Sequence, residues 1–168
     1  MASALTELFV EEFRLCEIGR GQTVAVLSEG DQLRDYAETS LAAASALGAE
    51  VIDVNLNVEH AMDASERIAN VGKNPLTEHP QSLQMCCDAD IVIDHMLLLF
   101  SHEQIAMQKA GARVLLVVEP EEILQRLFPS PALRQRVEAA ERRLARKLGQ
   151  AAALRESARA HDGVVSPE

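Results

Sequence analysis

Residues 90–122, DIVIDHMLLLFSHEQIAMQKAGARVLLVVEPEE, decide the fold. The apolar run from Asp90 to Leu97 is too short for a helix core and rich in β-branched residues, which reads as a buried strand. A polar break at Ser101 leads into helical spacing over 103–110. Gly111 closes that helix, and Arg113 to Val118 forms a second buried strand. Strand, helix, strand in this span is a βαβ unit, so the two strands run parallel. Chemistry-capable residues stand just past both strand ends: Ser101, His102 and Glu103 after the first, Glu119, Glu121 and Glu122 after the second. In open α/β sheets ligands bind outside the carboxyl ends of the strands, so the site is expected there.

The same pattern extends in both directions. Leu5, Leu8, Phe9, Phe13 and Cys16 recur at helical spacing over residues 3–17, and Gly19-Arg20-Gly21 ends that helix. Thr23 to Leu27 reads as a strand, with Asp31 in the following turn as the expected N-cap of an Ala-rich helix over 32–47. Gly48 closes that helix, and Glu50 to Leu56 forms the next strand. Residues 57–79 are irregular, with a helical turn expected near 63–69, and loops of this length are often functional. Pro80 suits the first turn of a helix over 80–88. A short helix follows Pro120. Ser130-Pro131 starts a last helix whose apolar stripe is Leu133, Val137, Ala140, Leu144 and Leu148, with Gly149 as its expected end. The fold class is therefore α/β. It is a Rossmann-like open sheet of four parallel strands with helices on both faces, an N-terminal helix and a long C-terminal helix.

Composition narrows the function. The 168 residues carry a net charge of −10, which disfavours nucleic acid as a partner. The charge is uneven. Residues 1–130 hold 8 basic and 21 acidic residues, a net of −13, whereas 131–160 hold 8 basic and 3 acidic, a net of +5. The basic segment is read as a solvated face, or one that packs on acidic surface of the same or another subunit. Cys16, Cys86 and Cys87 form no framework, which suits a reducing cytoplasm. The acidic N-terminus lacks the basic region of a signal peptide, and the longest apolar run, Met96 to Phe100, is too short to span a membrane.

Several motifs are excluded by context. Gly19-Arg20-Gly21 precedes a strand, whereas a dinucleotide fingerprint must follow one. The turn after the first strand offers one glycine, Gly30, between Glu29 and Asp31, and those carboxylates repel phosphate. His60, His79, His95, His102 and His161 form no short-range ligand pair, so a metal site built from this chain alone is not expected. Asp94 and His95 are adjacent and must point to opposite faces of the sheet. Asp94, inside an otherwise apolar strand, is read as a buried structural carboxylate, against the alternative that it lines a pocket at the strand end. His102 stands at a helix start, where the dipole disfavours a positive charge. A neutral ring there is a base candidate, against the plainer reading of a surface helix-start residue. Ser101 is the N-cap in either case. Glu119 is read either as a pocket carboxylate or as an acceptor for loop N–H groups. The Cys86-Cys87 pair is read as core packing.

The blocks LFVEEFRLC, GQTVAVLSE, NPLTEHP, ADIVIDHMLLLFSHEQ, GARVLLVVEPEEILQRLFP and RVEAAERRL, in this order and spacing, carry a resemblance. Over roughly residues 5–150 the chain resembles the N-terminal domain of the 2,5-dihydroxypyridine 5,6-dioxygenase family, which is related in fold to aminopeptidase T-like leucyl aminopeptidases. The resemblance implies an iron(II)-dependent, ring-opening dioxygenase of nicotinate- and pyridine-type catabolism. Its Fe(II) would be held by two histidines and a carboxylate of a C-terminal domain, in keeping with the facial triad of non-haem oxygenases. On this reading 1–152 is the Rossmann-like domain, and 153–168 is a tail at the start of a metal-binding domain that is absent. Residues after Leu154 drift from the family pattern.

The family usually reads L-H-S-P-E-Q after the third strand, and its His is the proposed acid/base. Here Phe100 holds that position, and the histidine stands two residues on, as His102. The resemblance thus makes His102 the displaced acid/base candidate, and Leu99, Phe100 and Ser101 the pocket wall, with Phe100 stacking on an aromatic ring. Glu119 joins them at the next strand end. The expected partners are a small aromatic substrate and either a separate metal-binding domain or further copies of the chain. Two rival readings stand beside this one: an aminopeptidase T-like metallohydrolase fragment, and a non-catalytic small-molecule-binding or assembly module.

Overall fold

A computed structural model describes residues 4–57, 65–66, 75–127 and 131–162. It divides into two compact units, 1–125 and 126–168. In chain order the first unit holds α1 (Ala4–Leu15), β1 (Thr23–Glu29), α2 (Arg34–Ala46), β2 (Glu50–Leu56), a 3-10 turn (Pro75–Glu78), α3 (Pro80–Asp88), β3 (Ile91–Asp94), α4 (His102–Ala110) and β4 (Arg113–Leu116). A short helix, α5 (Glu121–Leu127), lies at the boundary, and α6 (Pro131–Asp162) forms the body of the second unit.

The sheet is four-stranded and wholly parallel, in the order β2-β1-β3-β4. This is the doubly wound arrangement expected from alternating strands and helices. Register sorts the side chains. Ala25, Leu27, Ile52, Val54, Leu56, Val92 and Val114 share one face, and pack with Leu76, Cys86 from α3 and Met107 from α4. Val24, Val26, Ile91 and Ile93 point to the opposite face. There α2 lies on β1 and β2, and α1 lies on α2. Phe9 meets Phe13 at a tilt and Tyr36 of α2 edge-on, with ring centroids 5.7 Å apart in both pairs. Burying apolar side chains on both faces supplies the main driving force, about 1.5–3 kcal/mol for each large side chain.

Cys86 lies in this core. Burial, with smaller contributions from Cys87 and Asp94, pushes its thiol up to about 12. It is a packing residue in the protonated form.

Several boundaries differ from the sequence reading: β4 stops at Leu116, where pairing with Asp94 at the end of β3 runs out, and not at Val118, and four others have a local reason. β1 runs on to Glu29 because β2 pairs with it to its end, and Asn55 Nδ2 donates to Ser28 Oγ (3.0 Å) and to the Gly30 carbonyl (2.9 Å). Asp31 does not cap α2. The helix begins three residues later, behind Leu33 in the left-handed region (φ 51°), with no side-chain cap. β3 stops at Asp94, well short of Leu97, because the Asp94 carboxylate turns the chain out of the sheet. Gly149 does not end α6, which continues to Asp162. The helical turn expected near 63–69 falls largely outside the described residues, as do the Ser130 cap and the residues after 162.

Candidate functional site at the carboxyl end of the sheet

The connection from β1 leads outward to β2, and the connection from β2 returns across to β3 on the other side of β1. The strand order therefore switches between β1 and β3, where an open α/β sheet has its crevice. The loop leaving β3, residues 95–101, stands at this switch and is built by two adjacent polar residues.

Asp94 is 1% exposed, and its carboxylate accepts the N–H groups of Met96 (2.7 Å) and Leu98 (2.8 Å). These charge-assisted bonds hold two donors that leave the β-ladder and would otherwise be buried without partners. His95, also 1% exposed, points to the other face. Its Nδ1 lies 2.6 Å from the Val117 carbonyl, and its Nε2 lies 3.1 Å from Ser40 Oγ on α2. A carbonyl can only accept, so Nδ1 carries a proton. Burial holds the ring's pKa below the ordinary value against opposing contributions from Val117 and Asp35, which favours the neutral ring, and in that form Nε2 accepts from the serine hydroxyl. Tyr36, one helical turn before Ser40, meets the imidazole edge-on and donates its hydroxyl to the Glu119 carbonyl (3.1 Å). One face of α2 thereby fixes the loops after both β3 and β4.

Ser101 is buried and caps α4, accepting from Gln104 N–H (3.0 Å). Gln104 Oε1 in turn accepts the Phe100 N–H (2.8 Å), a variant of the reciprocal capping box displaced by one residue. Between Asp94 and this cap the chain adopts two left-handed non-glycine conformations, Leu97 (φ 61°) and Phe100 (φ 63°). Such conformations cost roughly 1–3 kcal/mol each and persist where the surroundings over-determine them. Here they turn the Phe100 ring outward, 77% exposed, beside Leu99 at 36%.

The structure thus gathers Leu99, Phe100, Ser101 and His102 into one corner, with different duties. Leu99 and Phe100 present apolar surface, His102 is exposed at the first position of α4, and the Ser101 hydroxyl is committed to the cap. Glu103 turns inward and accepts from Thr77, joining the 3-10 turn to α4. Glu119 stands in the next loop with its side chain exposed, and the group it engages is its backbone carbonyl. Among the described residues no three His, Cys, Asp or Glu side chains are grouped to hold a metal ion.

The sequence reading missed Ser40, Tyr36 and the role of His95. Their signal was present but faint. Tyr36 and Ser40 are polar residues spaced i, i+4 on a face of α2 that otherwise buries alanine.

Comparison with known proteins agrees with this architecture. Residues 4–155 match the family model described as 2,5-dihydroxypyridine 5,6-dioxygenase. The chain belongs to this family. It is 36% identical over 140 residues to the 2,5-dihydroxypyridine 5,6-dioxygenase of Pseudomonas putida KT2440, an alignment covering 82% of this chain and 40% of the relative. The solved structure of 2,5-dihydroxypyridine dioxygenase from Pseudomonas putida KT2440 superposes with a TM-score of 0.67 at 34% identity, covering 86% of this chain and 43% of that one. The chain therefore spans about two fifths of the length of these relatives. Among the described residues no helix is long and apolar enough to cross a membrane.

Proposed function

We propose that this chain is the substrate-pocket domain of a cytoplasmic, iron(II)-dependent ring-cleaving dioxygenase for dihydroxypyridine-type N-heteroaromatics, inactive until a metal-binding domain is joined to it. The observation that carries this reading is the family match over 4–155, in a chain whose strand-end loop presents an exposed aromatic ring, Phe100, and an exposed histidine, His102, two residues apart. Phe100 offers a face on which a flat heteroaromatic ring can stack, worth about 0.5–1.5 kcal/mol beyond area burial. Leu99 extends that apolar wall. His102 takes the proton from a ring hydroxyl through its free imidazole nitrogen, in the role the resemblance assigns to the family histidine. Ser101 serves by holding the corner, and Glu119 bounds the crevice from the β4 side.

Iron needs converging donors that the described residues do not group, so no step through the metal is assigned to this chain. The ligands would come from a further domain or a partner chain.

The test is aerobic loss of 2,5-dihydroxypyridine absorbance in the presence of iron(II). It is run with the chain alone, then with the remainder of the Pseudomonas putida relative outside the matched region, mixed or fused. The expected result is no turnover alone and turnover when joined, with a Phe100→Ala variant weakened chiefly in KM. Turnover by the chain alone overturns the division of labour. A joined protein that folds, binds iron and leaves the diol untouched overturns the pocket reading.

A further inference from the structure

Glu103 lies in the first turn of α4, next to His102, and is only 6% exposed. A buried carboxylate costs free energy unless it is hydrogen-bonded. Glu103 accepts from the Thr77 hydroxyl, and the positive end of the α4 dipole also favours its charge. An apolar side chain would pack at this position, as Met107 does one turn later on the same inward face. Replacing both partners of a buried hydrogen bond by apolar groups of the same shape can be nearly neutral. What an apolar side chain does not supply is direction, because hydrophobic contact is non-directional.

The group that Glu103 meets is itself anchored. Thr77 stands on the 3-10 turn Pro75–Glu78, within the block NPLTEHP. Its neighbour Leu76 is fully buried, in one apolar cluster with Met96 and Leu98 of the site loop and Met107 of α4. Thr77 therefore reaches Glu103 from a fixed point. On the other side of His102, Ser101 is 1% exposed and caps α4 through the Gln104 N–H. His102 is the exposed residue between two that are held. The direction in which its imidazole leaves the helix follows from that backbone.

We propose that Thr77 and Glu103 are positioning residues for His102. The assignment rests on the reading of His102 as the base that meets a ring hydroxyl. The Ser101 cap sets where α4 begins, and the Thr77–Glu103 bond sets how its first turn is rotated. Together they fix the point from which the imidazole reaches the diol.

A double-mutant cycle on the full chain tests this, read as the affinity for 2,5-dihydroxypyridine in an anaerobic titration. Thr77 is exposed, so Thr77→Val removes the hydroxyl with melting little changed. It should weaken diol binding about two- to tenfold, the worth of one hydrogen bond. Thr77→Ser should restore wild-type affinity, and Glu103→Gln, whose amide oxygen still accepts, should stay close to it. In a His102→Ala background, already weakened, adding Thr77→Val should change nothing further. Independent losses that add in the double variant overturn the proposal, because the pair then supports the fold without acting through His102. Wild-type binding with a silent Thr77→Val overturns this assignment alone. A wild-type chain that does not bind the diol overturns the pocket reading, and this assignment with it.

Discussion

Replacing Asp94 with alanine removes the acceptor for two N–H groups that leave the sheet at the start of the site loop. The bonds are short, 2.7 Å to Met96 and 2.8 Å to Leu98, and the carboxylate is 1% exposed, so water cannot enter without rearrangement. Each stranded buried donor costs about 1–3 kcal/mol. Two together give an expected loss of about 3–5 kcal/mol, a large share of a domain stability of about 5–15 kcal/mol. Asp94→Asn keeps the volume and one acceptor oxygen, so about half that loss is expected. Urea unfolding at constant m value measures the change. Amide exchange locates it: Met96 and Leu98 should lose protection before the β1 amides do. The left-handed turn at Leu97, which lies between the two bonded amides, should relax with them. A stability change below about 0.5 kcal/mol, or unchanged exchange at Met96 and Leu98, refutes the assignment of Asp94 as the residue that builds the corner.

Phe100→Gly should leave stability unchanged or raise it by about 1 kcal/mol, because glycine adopts φ 63° without strain, yet should weaken binding of 2,5-dihydroxypyridine in a titration. Ser101→Ala should cost about 1 kcal/mol in denaturant unfolding through loss of the α4 cap. His95 gives a pH signature. Its folded pKa lies below the free value of about 6.5, so as pH falls through that value the unfolded chain takes up a proton that the folded chain refuses. Its contribution is fully present above the unfolded pKa and declines as pH falls from there toward the folded pKa. His95→Asn should lower stability at neutral pH but flatten the dependence below it by one proton, read from unfolding midpoints across pH 5–7 at roughly 1.4 kcal/mol per proton and pH unit. An unchanged slope would show that other groups carry it.

The sheet was legible because its signal is repeated and local. Buried strands such as Thr23–Glu29 and Ile91–Asp94 alternate with helices closed by Gly48 and Gly111, and parallel order follows from chain connectivity. The place of the candidate site in the fold was legible for the same reason, since strand ends fix it. The state of each side chain was less so. Ser101 read correctly as a cap because capping is a matter of sequence neighbours. Glu119 did not resolve, because whether its carboxylate or its carbonyl is engaged depends on Tyr36, 83 residues away. The Ser40–His95–Val117 link is likewise set by tertiary packing that spacing along the chain does not encode. Asp31 misled because β1 pairs with β2 as far as Glu29, and the turn that follows, closed by a Glu29–Gln32 bridge, holds Asp31 before the helix starts behind Leu33.

The central claim is that the corner formed by residues 95–104 receives an aromatic diol. Titrating 2,5-dihydroxypyridine into the ¹⁵N-labelled chain, anaerobically and without metal, tests it most directly. The account expects saturable shifts at Leu99, Phe100, His102 and Gln104, with smaller ones at Val118 and Glu119, abolished by Phe100→Gly. Shifts confined to another surface, or none up to the solubility of the diol, would contradict it.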